Sequence, residues 1–148
     1  MKKFVFRLQT LLKVKEAIEK QQKAHLAMVQ QKLYALIDEL EFLRDKRNAL
    51  NEQYQQEASQ GMRSDIMHIY LRYFDHLRDM IYETVVKIEE VRKEKARAQA
   101  ALLRTMKEIK ALKKLKEAQY KEYLAEVAKE EADAINEMVS FKAAAGGS

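Results

Sequence analysis

The 148-residue chain predicts an all-α fold, an elongated antiparallel two-helix coiled-coil hairpin in which helix two is longer than helix one. Three observations predict it. Proline is absent, and one proline inside a helix costs about 3 kcal/mol, so long uninterrupted helices are permitted throughout. The only glycine between Phe4 and Phe141 is Gly61. On either side of it, apolar residues recur at steps of three and four, which is the narrow seam of a coiled coil.

Helix one is expected over about 4–58. Its seam runs Leu8, Leu11, Lys15, Ile18, Gln22, His25, Val29, Leu33, Leu36, Leu40, Leu43, Arg47, Leu50, Tyr54. The two successive steps of four, His25 to Val29 to Leu33, read as a stutter that locally straightens the supercoil. The turn is expected at about 59–64, where Ser59-Gln60-Gly61-Met62-Arg63-Ser64 interrupts both patterns. Helix two is expected over about 65–141 and is capped by Ser64 or Asp65, whose side-chain oxygens accept bonds from first-turn amides. Its seam runs Ile66, Tyr70, Tyr73, Leu77, Ile81, Thr84, Ile88, Val91, Lys95, Ala98, Leu102, Thr105, Ile109, Leu112, Lys116, Tyr120, Tyr123, Val127, and on to Ala134, Met138 and Phe141. At 1.5 Å per residue the helices span roughly 80 and roughly 115 Å. Helix two must therefore overhang, leaving the chain beyond about Tyr120 without a partner. Residues 1–142 form one hairpin domain, and 143–148, which are small and glycine-rich, form a flexible tail.

Charge is graded along the hairpin. Residues 1–23 carry seven Lys or Arg against two acids, and residues 87–121 carry twelve against five. Antiparallel pairing superimposes these tracts into one basic stem. Residues 122–138 reverse the sign, with six acids against Lys129 alone. A basic helix can bind phosphates through counterion release. Here, however, Glu89, Glu90, Glu94, Glu108 and Glu117 are interleaved, no recognition motif is present, and the net charge is only +5, so nucleic acid is not the expected partner.

Enzymatic chemistry has no foothold in the sequence. His25, His68 and His76 are scattered, and eight residues along a helix is too far for the last two to share a metal. There is no cysteine, no glycine-rich phosphate loop and no nucleophile elbow, so no catalytic residue, metal site or cofactor is expected. No apolar run reaches signal-peptide or membrane-spanning length, which together with the missing cysteines suggests a cytoplasmic protein that does not insert into a membrane.

Two segments carry more apolar residues than a seam requires. After the turn, residues 66–82 present Ile69, Leu71, Phe74, Met80 and Tyr82 beyond the seam set. These either thicken the turn by packing on Tyr54 or form an aromatic docking patch. At the start, Phe4-Val5-Phe6-Arg7-Leu8 either staples onto Tyr120, Tyr123 and Val127 or joins the overhanging tip as a plug.

The opening FVFRLQTLLKVKEAIEKQQKA, the SQG turn, the segment YLRYFDHLRDMI and the stretch KEIKALKKLKEAQYKEYLAEVAKEEADAINE together resemble the flagellar FliJ family. The resemblance covers residues 4 to about 141 and rests on the joint layout. It implies a non-enzymatic component of the flagellar type III export apparatus, similar in fold to the central stalk of rotary ATPases. It further implies that the paired terminal end enters the hexameric export ATPase, that a surface nearer the turn meets the cytoplasmic domain of the membrane export gate, and that export chaperones bind. The implied location is the cytoplasm, peripherally at the inner membrane of the flagellar base. Transferred to this chain, the ATPase-facing plug comprises Phe4, Phe6, Leu8, Leu11, Leu12, Tyr120 and Tyr123. The gate-facing patch comprises Tyr73, Phe74, Leu77 and Met80. Arg7, Lys13, Lys107, Lys110, Lys113 and Lys114 form the basic stem that steers the rod toward an acidic ring. The alternative is a generic coiled-coil adaptor, or a stalk subunit of a related secretion system or rotary ATPase.

Overall fold

A computed structural model describes residues 2–146, and no strand occurs among them. The described chain is two helices packed against each other, α1 (Gln9–Ser59) and α2 (Ser64–Gly146), the second longer by 83 residues to 51. Between them the backbone turns at Gly61, whose φ of +90° lies in the region that L side chains rarely adopt. The amides of Gln60 and Gly61 close α1 by bonding to the carbonyls of Glu57 and Ala58, each at 3.3 Å. At the start of α2, Asp65 Oδ1 accepts the Ile66 amide at 3.0 Å, while its Oδ2 takes the Arg63 guanidinium at 3.0 Å. Asp65 is thus the acidic first-turn residue favoured by the helix dipole.

The chain divides into two compact units. One comprises residues 21–102, around the turn; the other comprises the residues up to Lys20 together with those from Leu103 onward. In the turn unit, Val29, Leu33, Ile88 and Val91 form a buried cluster with Leu36 and Leu40 packed against it. Lys32 reaches Glu94, and Tyr54 meets Tyr70, so residue numbers rise on one helix as they fall on the other, the signature of antiparallel pairing. In the terminal unit, Phe6, Leu12, Thr105 and Ile109 are buried. Pairing there is antiparallel too: Lys15 bridges to Glu108 at 2.5 Å, and Lys116 donates to Gln9 Oε1 at 2.8 Å. Lys15 and Lys116, which interrupt the seam in this unit, therefore bring their own partners.

Several expectations change. In the turn unit His25 is exposed and Leu26 is turned inward instead. With Leu26, the inward positions run Gln22, Leu26, Val29, Leu33, Leu36, Leu40 and Leu43, alternating four and three without a stutter. Arg47 is also exposed, because its long charged side chain reaches water. In the terminal unit, Leu12 (3% exposed) takes the place expected of Leu11, which faces outward.

The chain before Gln9 is not helical. Residues 2–6 have no regular secondary structure, and a turn follows at Arg7–Leu8, tied by the Gln9 amide to the Phe6 carbonyl at 3.0 Å. Along Phe4-Val5-Phe6-Arg7 the side chains alternate inward and outward, with Phe6 5% exposed and Val5 75%. On a helix, residues two apart point about 200° away from each other, so a helical turn could not direct both phenylalanines toward α2. Aromatic burial outweighs one more turn of a fraying helix end.

At the other end α2 continues through Ala143, Ala144 and Ala145 to Gly146, residues expected in the tail. Alanine is the best helix former, so the helix extends there without packing. Gly147 and Ser148 lie outside the described residues. From Ala128 to Gly146 every side chain is exposed, including Ala134, Met138 and Phe141 of the expected seam.

Candidate partner-binding surfaces

In the terminal unit three rings gather. Phe4 packs edge-on against Tyr120, with centroids 5.2 Å apart, and tilts against Tyr123 at 5.6 Å. Tyr120 and Tyr123 stack at 6.2 Å. The Tyr123 hydroxyl donates a 2.6 Å hydrogen bond to the Lys2 carbonyl oxygen. The seven residues expected to form the plug therefore divide. Phe6 and Leu12 are buried, Phe4 and Tyr123 are half-buried, and Leu8, Leu11 and Tyr120 present apolar surface outward together with Val5 and Val14. Val5 belongs to the segment Phe4–Leu8 expected at the plug, whereas Val14 was not expected there.

All six residues of the expected basic stem are exposed: Arg7, Lys13, Lys107, Lys110, Lys113 and Lys114. Lys110, Lys113 and Lys114 share an open groove of about 470 Å³ with Met106, Ile109 and the carboxylates of Glu19 and Glu117. A surface that mixes ammonium groups with exposed methylene and thioether carbon suits an acidic partner that also offers some apolar contact.

In the turn unit, Tyr54 packs against Tyr70 at 5.5 Å and Phe74 at 5.9 Å, both edge-on. This draws Phe74 into the turn. Leu77, at 1% exposed, is the most deeply buried large side chain and cannot touch a partner; its role is to hold the helices together. Tyr73 and Met80 are half-buried. Beside Tyr73 lies an apolar groove of about 360 Å³ lined by Leu50, Ile69, Tyr70, Arg72 and His76 as well. Ile69 is 65% exposed, and Tyr82, on another side of α2, 70%. The apolar excess thus divides: Phe74 packs on Tyr54, while Ile69, Leu71 and Tyr82 stay outside.

Sequence reasoning missed the contribution of α1. Phe42 is largely exposed, and the Lys46 ammonium sits 5.9 Å from its ring centroid and 5.7 Å from that of Tyr73. Both distances suit cation–π attraction. Phe42 lies off the seam, and only the pairing of α1 with α2 brings it next to Tyr73 through Lys46.

The Tyr70 hydroxyl is held above the ordinary phenol range, first by desolvation and then by its hydrogen bond to Glu57 and the charge of that carboxylate. Among the described residues no group of three His, Asp or Glu stands close enough to hold a metal. None of the described helices is long and apolar enough to cross a membrane.

No curated protein and no solved structure matches the chain. The family model described as flagellar FliJ protein matches residues 3–148, essentially the full length. With its two antiparallel helices, the long second helix and this end-to-end match, the chain belongs to the FliJ family and is thereby a component of the flagellar protein export apparatus.

Proposed function

We propose that the protein is a non-enzymatic stalk that couples the hexameric flagellar export ATPase to the cytoplasmic domain of the membrane export gate and also receives export chaperones. Its place of work is the cytoplasmic side of the flagellar base, in peripheral association with the inner membrane. The observation that carries the reading is the full-length family match, joined to two separate kinds of surface: exposed cations with exposed apolar residues in the terminal unit, and an aromatic groove in the turn unit.

A stalk acts on a ring by touching its subunits unequally, so that they differ in nucleotide occupancy. Residues of the terminal unit suit that contact. Leu8, Leu11 and Tyr120 offer apolar area, and Arg7, Lys13, Lys107, Lys110, Lys113 and Lys114 draw the stalk toward an acidic collar. For the gate, the accessible set is Tyr73 and Met80 with Ile69, Phe42 and Lys46, while Leu77 and Phe74 support them from beneath.

The test is ATP hydrolysis by the export ATPase of the same organism, with and without this protein near stoichiometric ratio. Stimulation together with ring assembly is expected. Unchanged hydrolysis with no co-elution would leave a generic coiled-coil adaptor as the better reading.

A further inference from the structure

We propose that residues 2–7 are an exchangeable strap over a docking groove on α2, and that the groove's external occupant is a segment of the strap's own chemistry: two aromatic residues two positions apart, flanked by lysine or arginine. This goes beyond the stalk reading and does not depend on it.

The surface beneath the strap is the α2 seam at Tyr123 and Val127, with the exposed ring of Tyr120 at its edge against Phe4. These residues hold ordinary seam positions, yet the element opposite them is not α1 but the non-helical Lys2-Lys3-Phe4-Val5-Phe6-Arg7. A non-helical segment makes none of the repeating i to i−4 bonds that tie a helical turn into its helix. The strap is anchored at its base by the Gln9–Phe6 turn bond, by the rings of Phe4, Tyr120 and Tyr123, by burial of Phe6, and by the bond from Tyr123 to the Lys2 carbonyl. Each anchor is local, so the strap can lift as a unit while the paired helices below it remain.

Charge defines the occupant. Between strap and α2 lies an open groove of about 770 Å³, with Lys2, Lys3 and Arg7 on the strap side and Glu126 and Glu130 on the α2 side. All five charged groups are exposed. The two glutamates border Tyr123 and Val127, so a segment seated there needs apolar side chains pointing inward and cations at its edges. The strap meets that requirement in cis, and a partner segment of the same pattern competes for the same place. Docking through Phe6 itself likewise requires the strap to lift, because Phe6 is 5% exposed while it is closed.

The experiment uses the full chain and a fluorescent peptide reproducing residues 2–8, Lys-Lys-Phe-Val-Phe-Arg-Leu. A Phe4→Ser/Phe6→Ser variant vacates the groove, and unchanged circular dichroism at 222 nm establishes that its helices persist. The variant is expected to bind the peptide at least about tenfold tighter than the wild type, whose own strap competes. Affinity is expected to fall with salt, and a peptide with Glu at the three basic positions is expected not to bind. Equal peptide binding by wild type and variant, or equal binding of the charge-reversed peptide, would overturn the proposal. Should the double variant unfold, Tyr123→Phe keeps the ring and removes only the bond to Lys2. Hydrogen exchange at the Gln9 amide, which the Phe6 carbonyl holds, is then expected to accelerate several-fold while amides around Ile109 are unchanged, and parallel acceleration of both would refute an independently opening strap.

Discussion

The Lys46 ammonium lies 5.7 Å from the Tyr73 ring centroid, linking α1 to an aromatic side chain of α2 across the hairpin surface. The contact is exposed on the Lys46 side, so it contributes on the order of 0.5–1 kcal/mol and acts mainly to orient the ring.

That arrangement separates binding from folding within one patch. Tyr73→Ala and Ile69→Ala are expected to weaken association with the gate's cytoplasmic domain by about fivefold to tenfold, with a thermal midpoint near that of the wild type. Leu77→Ala opens a cavity at a position 1% exposed and is expected to cost about 2–4 kcal/mol of stability. Calorimetry for binding and urea melts for stability separate the two. A Leu77→Ala protein with full stability and lost binding would contradict the inward assignment.

The seam through the first half of α1 is testable by two neighbouring substitutions. Leu26→Ala is expected to lower stability by about 1–2 kcal/mol, and His25→Ala to stay within about 0.5 kcal/mol of the wild type. The reverse ranking in urea unfolding would restore the stuttered register through His25.

Alkaline stability should report on Tyr70. Its hydroxyl loses its proton less readily in the folded chain than the ordinary phenol value of 10.0, owing first to desolvation and then to Glu57. A raised folded value means the folded state holds the proton more tightly than the unfolded state. Its contribution is therefore complete below the unfolded value and is lost as pH climbs through the folded one. Glu57→Gln removes the carboxylate's charge, so phenolate absorbance near 295 nm should appear at lower pH than in the wild type. Superimposable tyrosinate titrations for the two proteins would rule out the Glu57 contribution.

Association of the basic stem with the export ATPase should weaken with salt, because exposed charges are screened over about 10 Å at 0.1 M. Changing Lys107, Lys110, Lys113 and Lys114 to Gln together is expected to reduce the on-rate by roughly tenfold at low ionic strength and to flatten its salt dependence. All four side chains are exposed, so the helical melt should be nearly unaffected. A salt-independent on-rate in the wild type would dismiss electrostatic steering.

Much of the candidate surface was visible in sequence as surplus: the six stem cations, and the apolar residues after the turn that exceed what a seam uses. Phe42 and Lys46 were not visible, because a single aromatic off the seam has no local pattern to mark it. Their proximity to Tyr73 comes from how the two helices face each other.

By itself, the sequence determined the number of helices, the turn and most of the α2 seam. Absent proline, one interior glycine and a strict apolar period leave few alternatives, and Leu77, Thr84, Ile88, Val91, Ala98, Thr105 and Ile109 are all buried where the period puts them. Only the tertiary structure decided between adjacent candidates: Leu26 over His25, Leu12 over Leu11, a non-helical Phe4–Phe6 over another helical turn, and Phe74 inward while Ile69 stays out. The physical reason is that neighbouring residues on a helix differ by about 100° in direction, so a period read from sequence leaves the seam's edge open by one residue. Helix ends are also weakly held, so contact with the opposing helix, rather than local propensity, settles which side chain turns inward.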